Sequence, residues 1–79
     1  MRNLNSIRYT VRKRVLITAR EKEVLKLIAL GHTDPEIGSR LFLSKFTVNT
    51  HRKNLIRKFE AKNACNLILK AIQENCIHL

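Results

Sequence analysis

Between Thr18 and Ser44 the chain carries three helix-start signals with only a few spare residues between them. Thr18 is followed three positions later by Glu21. In that spacing the hydroxyl takes one orphan N–H of the first turn and the carboxylate takes another, a capping box. Val24, Leu25, Leu27 and Ile28 then fall on one helical stripe, and Gly31 supplies a left-handed stop. Thr33 and Glu36 repeat the box, with Asp34 and Pro35 in the first turn, where Pro is tolerated and Asp suits the helix dipole. Ile37 and Leu41 are the apolar positions of this second helix. Gly38 between them weakens it by ~1 kcal/mol relative to Ala, for which close approach of another helix is the expected compensation. Phe42 and Leu43 form a short apolar link, and Ser44 caps a third helix over about 45–59 whose buried seam is Val48, Leu55 and Phe59.

The chain outside this block is less marked. Ile7, Tyr9, Val11, Val15 and Ile17 alternate with Arg8, Thr10, Arg12 and Arg14, a period of two that suits a strand. A lone strand would need a second copy to pair with; an extended linker is another reading, and Ile7, Val11 and Val15 also fit a helical stripe. A fourth helix is expected over about 64–75. Its apolar residues sweep roughly 200° of the circumference, wider than the stripe of a little over ~100° that one core needs. The side of Leu67, Ala71 and Ala64 can face the other helices; the side of Cys65, Leu69, Ile72 and Cys76 is left over. A second copy, or Ile77, Leu79 or the apolar side of the arm folding back, would cover it. The expected class is all-α: a four-helix bundle with a central helix-turn-helix, preceded by a basic extended arm. The expected division is an arm or linker over 1–15 and a domain over 16–79.

Charge is concentrated rather than spread. Sixteen Lys and Arg stand against six Asp and Glu in 79 residues, a formal charge of +10. Residues 1–20 carry Arg2, Arg8, Arg12, Lys13, Arg14 and Arg20, and residues 37–59 carry Arg40, Lys45, Arg52, Lys53, Arg57 and Lys58; neither stretch holds an acid. Such clusters attract a polyphosphate backbone. On the third helix Phe46, Thr50, Lys53 and Arg57 share a face, with Asn49 beside them. Two capped helices joined by a short link, the second with a polar, basic outer face, is the arrangement whose second helix enters the major groove.

Other chemistries find little support. No apolar run approaches the ~18–20 residues of a membrane span, and the basic N-terminus lacks the apolar segment of a secretory signal. A soluble intracellular protein is expected, with no membrane partner. Ser6, Ser39 and Ser44 have no His–acid partners by motif, no glycine-rich phosphate loop is present, and no enzyme, catalytic residue or cofactor is expected. Cys65, Cys76 and His78 do not have zinc-site spacing, and no metal site is expected. The two cysteines would lie ~16 Å apart along one helix, too far to bridge, and read as buried apolar thiols. A helical adaptor that binds an acidic protein or RNA polymerase without reading DNA is the competing function.

Three segments resemble the LuxR/FixJ/GerE-type DNA-binding domains: Ile17-Thr-Ala-Arg-Glu-Lys-Glu-Val-Leu25, Glu36-Ile-Gly-Ser-Arg-Leu-Phe-Leu-Ser44 and Thr47-Val-Asn-Thr-His-Arg-Lys-Asn-Leu-Ile-Arg-Lys-Phe59. They lie in the family's order and spacing, and the resemblance covers about 16–75. It implies binding of double-stranded promoter DNA, usually as a dimer, and control of transcription in the bacterial cytoplasm. RNA polymerase is a further expected partner, and the chain fits the effector domain of a two-component or sensor-linked regulator.

Carried over residue by residue, the resemblance places Asn49, Thr50 and Lys53 at base edges. Thr47 and Lys58 match positions that meet the phosphate backbone; Arg52 and Arg57 join them on charge alone. The family's dimer contact falls on the fourth helix, so Cys65, Leu69, Ile72 and Cys76 become the expected interface. His51 matches a flanking histidine, expected to be partly buried and hydrogen-bonded to the backbone, a phosphate contact being the alternative. Departures from the family are Ala19 for proline, Gly38 for alanine, Glu60-Ala61 for a frequent Gly-Val, and Ala64 for a frequent arginine. Phe46 is unusually large for its place; it is expected to pack under the turn, a wedge against the DNA backbone being the alternative.

Overall fold

The computed structural model describes residues 15–78, which form four helices: α1 (Ala19–Ala29), α2 (Asp34–Leu41), α3 (Lys45–Phe59) and α4 (Ala64–Gln73). No strand occurs among the described residues. The all-α expectation holds, with α2 and α3 as the helix-turn-helix.

The helices start where side chains satisfy the orphan N–H groups. The Thr18 N–H donates to Glu21 Oε1 at 2.9 Å and the Glu21 N–H donates back to Thr18 Oγ1 at 3.0 Å. The same exchange joins Thr33 and Glu36 at 2.8 and 3.4 Å. Ser44 Oγ accepts from the Thr47 N–H at 3.1 Å. Asn63 caps α4, its Oδ1 accepting from the Asn66 N–H at 2.8 Å, a cap that sequence reasoning missed although Asn is among the preferred N-cap residues.

All four ends use one device. A residue just past the helix takes a positive φ, and the next N–H returns to a carbonyl five residues back. The left-handed residues are Gly31 (φ 90°), Phe42 (60°), Glu60 (53°) and Asn75 (60°). The closing bonds run from His32 to Leu27, Leu43 to Gly38, Ala61 to Ile56 and Cys76 to Ala71, at 2.8–3.1 Å. Gly31 is the expected stop; the other three positions lack a glycine. The turn at Asn75 ends α4 at Gln73, short of the expected Asn75.

The core draws on every helix: Val24, Leu25 and Ile28 from α1, Ile37 from α2, Val48, Leu55 and Phe59 from α3, and Leu67 and Ala71 from α4. Ile77 closes it from beyond α4. The expected seams of α1 and α3 are all there, with Leu27 and Leu41 half-buried against them. Val15 and Ile17 pack on the same core while Leu16 between them is exposed, so the alternation of the arm persists at 15–17 without a helix. The rest of the arm and Leu79 lie outside the described residues.

Gly38 corrects an expectation. Its close neighbour is not another helix but the α2–α3 turn: a Cβ built there would collide with the Leu43 carbonyl oxygen. The same turn sends the Leu43 N–H back to the Gly38 carbonyl at 2.8 Å. Absence of a side chain at Gly38 is what lets α3 follow α2 so tightly.

Candidate nucleic-acid interface

Side chains on α3 step by about 100° per residue. Val48, Leu55 and Phe59 therefore point one way, into the core, and Phe46, Thr50, Lys53 and Arg57 point the opposite way. All four of the latter are exposed. No acid shares this face. Asp34 and Glu21, which bond to residues of α3, are held by Arg52 and Lys58, and the outer face of α3 keeps the charges of Lys53 and Arg57.

Asn49 stands at the flank of this face, half-buried, its Nδ2 donating to Asp34 Oδ2 at 3.4 Å. Thr50 Oγ1 donates to the Phe46 carbonyl at 3.1 Å, which leaves its methyl and its lone pairs outward. Lys53 is exposed and makes no ion pair among the described residues. Thr47 lies in the first turn of α3, its hydroxyl accepting from Ser44 Oγ at 3.0 Å. Arg57 is exposed, its Nη2 donating to Asn54 Oδ1 at 3.4 Å.

Two cations expected at phosphates also make ion pairs within the fold. Arg52 donates to Asp34 Oδ1 through Nε at 3.0 Å and Nη2 at 2.6 Å, pinning α3 to the first turn of α2. Lys58 points about 140° away from Lys53 around the helix, and its Nζ lies 2.7 Å from Glu21 Oε1. Burial pushes the Glu21 carboxyl up, but the hydrogen bond from Lys58, the Thr18 N–H, the Lys58 charge and the Thr18 side chain outweigh it and hold the pKa below its ordinary value. Neither pair was found in the sequence, because nothing local marks partners so far apart in the chain.

Phe46 does not pack under the turn. It is 73% exposed, pointing about 160° away from Val48. Lys45 Nζ sits 5.4 Å from the ring centroid. Phe42, in the turn, has a left-handed backbone and is 95% exposed. His51 is half-buried as expected, but no hydrogen bond involves its ring among the described residues.

On α4, Leu67 and Ala71 are buried and Ala64 packs beside them, as expected. Cys65, Leu69 and Ile72 are exposed on the opposite side, Leu69 by 53%, so the Cys65 thiol is not buried as expected, its place on the helix facing away from Leu67 and Ala71. Ile77 turns under into the core and brings Cys76 partly with it, but leaves Leu69 and Ile72 uncovered. Burial pushes the Cys76 thiol up, the Glu74 charge adding and Lys22 opposing. No helix among the described residues is long and apolar enough to cross a membrane, and no group of three or more His, Cys, Asp or Glu is arranged there to hold a metal ion.

Comparison with known proteins agrees with this architecture. The response regulatory protein YgeK of Escherichia coli K12, itself called uncharacterized, is 44% identical over 57 residues, 72% of this chain and 39% of its own length. The CsgBAC operon transcriptional regulatory protein of the same organism is 43% identical over 56 residues, 71% of this chain and 26% of its own. The response regulator VraR of Staphylococcus aureus Mu3 is 37% identical over 62 residues, 78% and 30% respectively. The chain thus spans well under half the length of these curated relatives. The crystal structure of the response regulator ChrA of a heme-sensing two-component system superposes with a TM-score of 0.76 at 30% identity, over 84% of this chain and 33% of that one. Residues 15–71 match the family described as bacterial regulatory proteins, luxR family. With the helix-turn-helix, the outward basic face of α3 and this match in hand, the chain belongs to the luxR family and carries its DNA-binding domain, the part through which such regulators act on transcription.

Proposed function

We propose that the chain reads a promoter site in double-stranded DNA by laying α3 in the major groove. The observation that carries this is the outward face of α3: Thr50, Lys53 and Arg57 exposed on one side, the core seam on the other. Asn49, Thr50 and Lys53 meet base edges. An amide at Asn49 suits adenine, the ammonium of Lys53 suits guanine O6 or N7, and the Thr50 methyl suits a thymine methyl. Thr47, Arg52, Arg57 and Lys58 take phosphates, Arg52 and Lys58 while also paired with Asp34 and Glu21. Residues 16–79 form the domain, and the arm over 1–15 adds sequence-independent affinity through its arginines.

Two copies bind through Cys65, Leu69, Ile72 and Cys76 on α4, each reading one half-site. The protein works in the bacterial cytoplasm as the effector part of a sensor-linked regulator, with RNA polymerase as the downstream partner and no enzymatic activity of its own.

Selection of bound sequences from a random DNA pool tests this reading. An enriched motif is expected. Asn49→Ala and Lys53→Ala each weaken binding to it by ~1–3 kcal/mol, with little loss on random DNA. Failure to enrich any sequence, with no steep salt dependence, would instead favour the protein-binding adaptor.

A further inference from the structure

Phe46 stands at the N-terminal end of the reading face. It falls between Lys53 and Thr50 around the helix, opposite the core, and is 73% exposed. N-terminal residues of a recognition helix are the ones that reach base edges. A phenyl ring here makes no packing contact with the core and is a poor helix former at an exposed site. The stripe it belongs to is otherwise polar or basic. It can make no hydrogen bond in a groove. The apolar group the major groove presents is the C5 methyl of thymine, for which Phe is a matching contact. The Lys45 ammonium, 5.4 Å from the ring centroid, leaves the rest of the ring open while adding positive charge beside it.

We infer that Phe46 is a specificity-determining residue that reads a thymine through its methyl group. The inference rests on the DNA-reading proposal above and extends it to a residue with no hydrogen-bonding capacity. Phe46 and Lys53 are about 10 Å apart along the α3 axis, and bases step by about 3.4 Å. The thymine therefore lies within about three or four base pairs of the base that Lys53 contacts.

The test removes the methyl and nothing else. In the site selected by the full chain, each thymine is replaced singly by deoxyuridine, and affinity is measured for the wild-type protein, Phe46→Ala and Phe46→Leu. One thymine per half-site should be sensitive, binding about three- to tenfold more weakly as uracil, the range a buried methyl is worth. In Phe46→Ala the same replacement should change nothing, and in Phe46→Leu it should have an intermediate effect. Because the ring is exposed, both variants should keep the wild-type helix signal and melting temperature; the wild-type uracil series carries the test even if they do not. A site with no uracil-sensitive thymine overturns the inference and leaves the DNA-reading proposal standing. So does uracil sensitivity that persists in Phe46→Ala, or a loss in that variant equal on selected and random DNA, which would put the ring against the sugar-phosphate backbone. A pool that enriches no sequence overturns the DNA-reading proposal itself, and this inference with it.

Discussion

The ammonium of Lys58 lies 2.7 Å from Oε1 of Glu21, tying the end of α3 to the first turn of α1. Glu21 is buried, and the same oxygen accepts the Thr18 N–H at 2.9 Å. One carboxylate therefore closes a helix cap and an interhelical ion pair together. Removing either partner leaves a desolvated group without its counterpart. Lys58→Ala and Glu21→Gln should each lose about 1–3 kcal/mol of stability. Glu21→Ala should lose more, because the cap goes as well. Urea denaturation of the three variants measures this order.

The pair also sets a pH dependence. The Glu21 pKa is lower in the folded chain than its ordinary value of 4.5. A depressed carboxylate adds stability that is full above the unfolded pKa and is lost as pH falls through the folded one. Stability should thus hold from neutral pH down to about 4.5 and fall below it. The Glu21→Gln variant should start lower and fall less over the same interval. Parallel wild-type and variant curves between pH 6 and 3 would show that Glu21 is not a principal titrating group.

Why such pairs escape a reading of the sequence is a matter of range. Thr18 with Glu21, Thr33 with Glu36 and Ser44 with Thr47 are three residues apart, so spacing alone specifies the contact, and the helix starts were legible. Arg52 with Asp34 and Lys58 with Glu21 are 18 and 37 residues apart. Charge and family position alone send both cations to phosphate; the fold also gives each a carboxylate. Thr50 and Lys53 are exposed on the expected face because helical periodicity settles direction without tertiary information. Phe46 obeys the same periodicity. Its expected packing set the apolar character of phenylalanine above its angular position, and the angular position prevailed.

Glu60 is a place where the chain gives up stability. It holds φ 53°, a left-handed conformation that glycine adopts without a Cβ penalty. It also puts an acid at the negative end of α3. Its side chain is dispensable for the end of the helix, since the Lys70 ammonium bonds the Glu60 backbone carbonyl at 2.9 Å. Glu60→Gly should stabilise the protein by about 1 kcal/mol. For a domain of this size that is a rise of about 4–8 °C in melting temperature.

Gly38 is the opposite case. The Leu43 carbonyl occupies the space a Cβ would need, and it belongs to backbone that also returns a hydrogen bond to Gly38. Overpacking costs about 1–3 kcal/mol, and alanine recovers up to about 1 kcal/mol of helix propensity. Gly38→Ala should therefore be destabilised, by up to about 3 kcal/mol. Gly38→Val, with a larger and β-branched side chain, should be clearly worse and should move α3 relative to α2. Comparing melting with DNA affinity for both variants separates the two effects: a displaced α3 loses specific binding under conditions where the helices are still formed.

The exposed side of α4 presents Cys65, Leu69 and Ile72 together, with Leu69 the most prominent of the α4 leucines and isoleucines. Ile77, which sequence reasoning offered as a cover, is spent in the core instead. Leu69 makes no contribution to that core, so Leu69→Glu should leave the melting temperature within about 0.5 kcal/mol equivalent of wild type, as for other surface changes. In a two-fold pairing through this face the variant places two carboxylates against each other and against apolar surface, a strong penalty in a dry interface. The expected result is a stable monomer that still binds a single half-site but loses the cooperative gain on a palindrome. Sedimentation at high micromolar concentration and titration of one- and two-half-site DNA measure both. A wild-type chain that stays monomeric free and on the palindrome would remove α4 as the dimer contact.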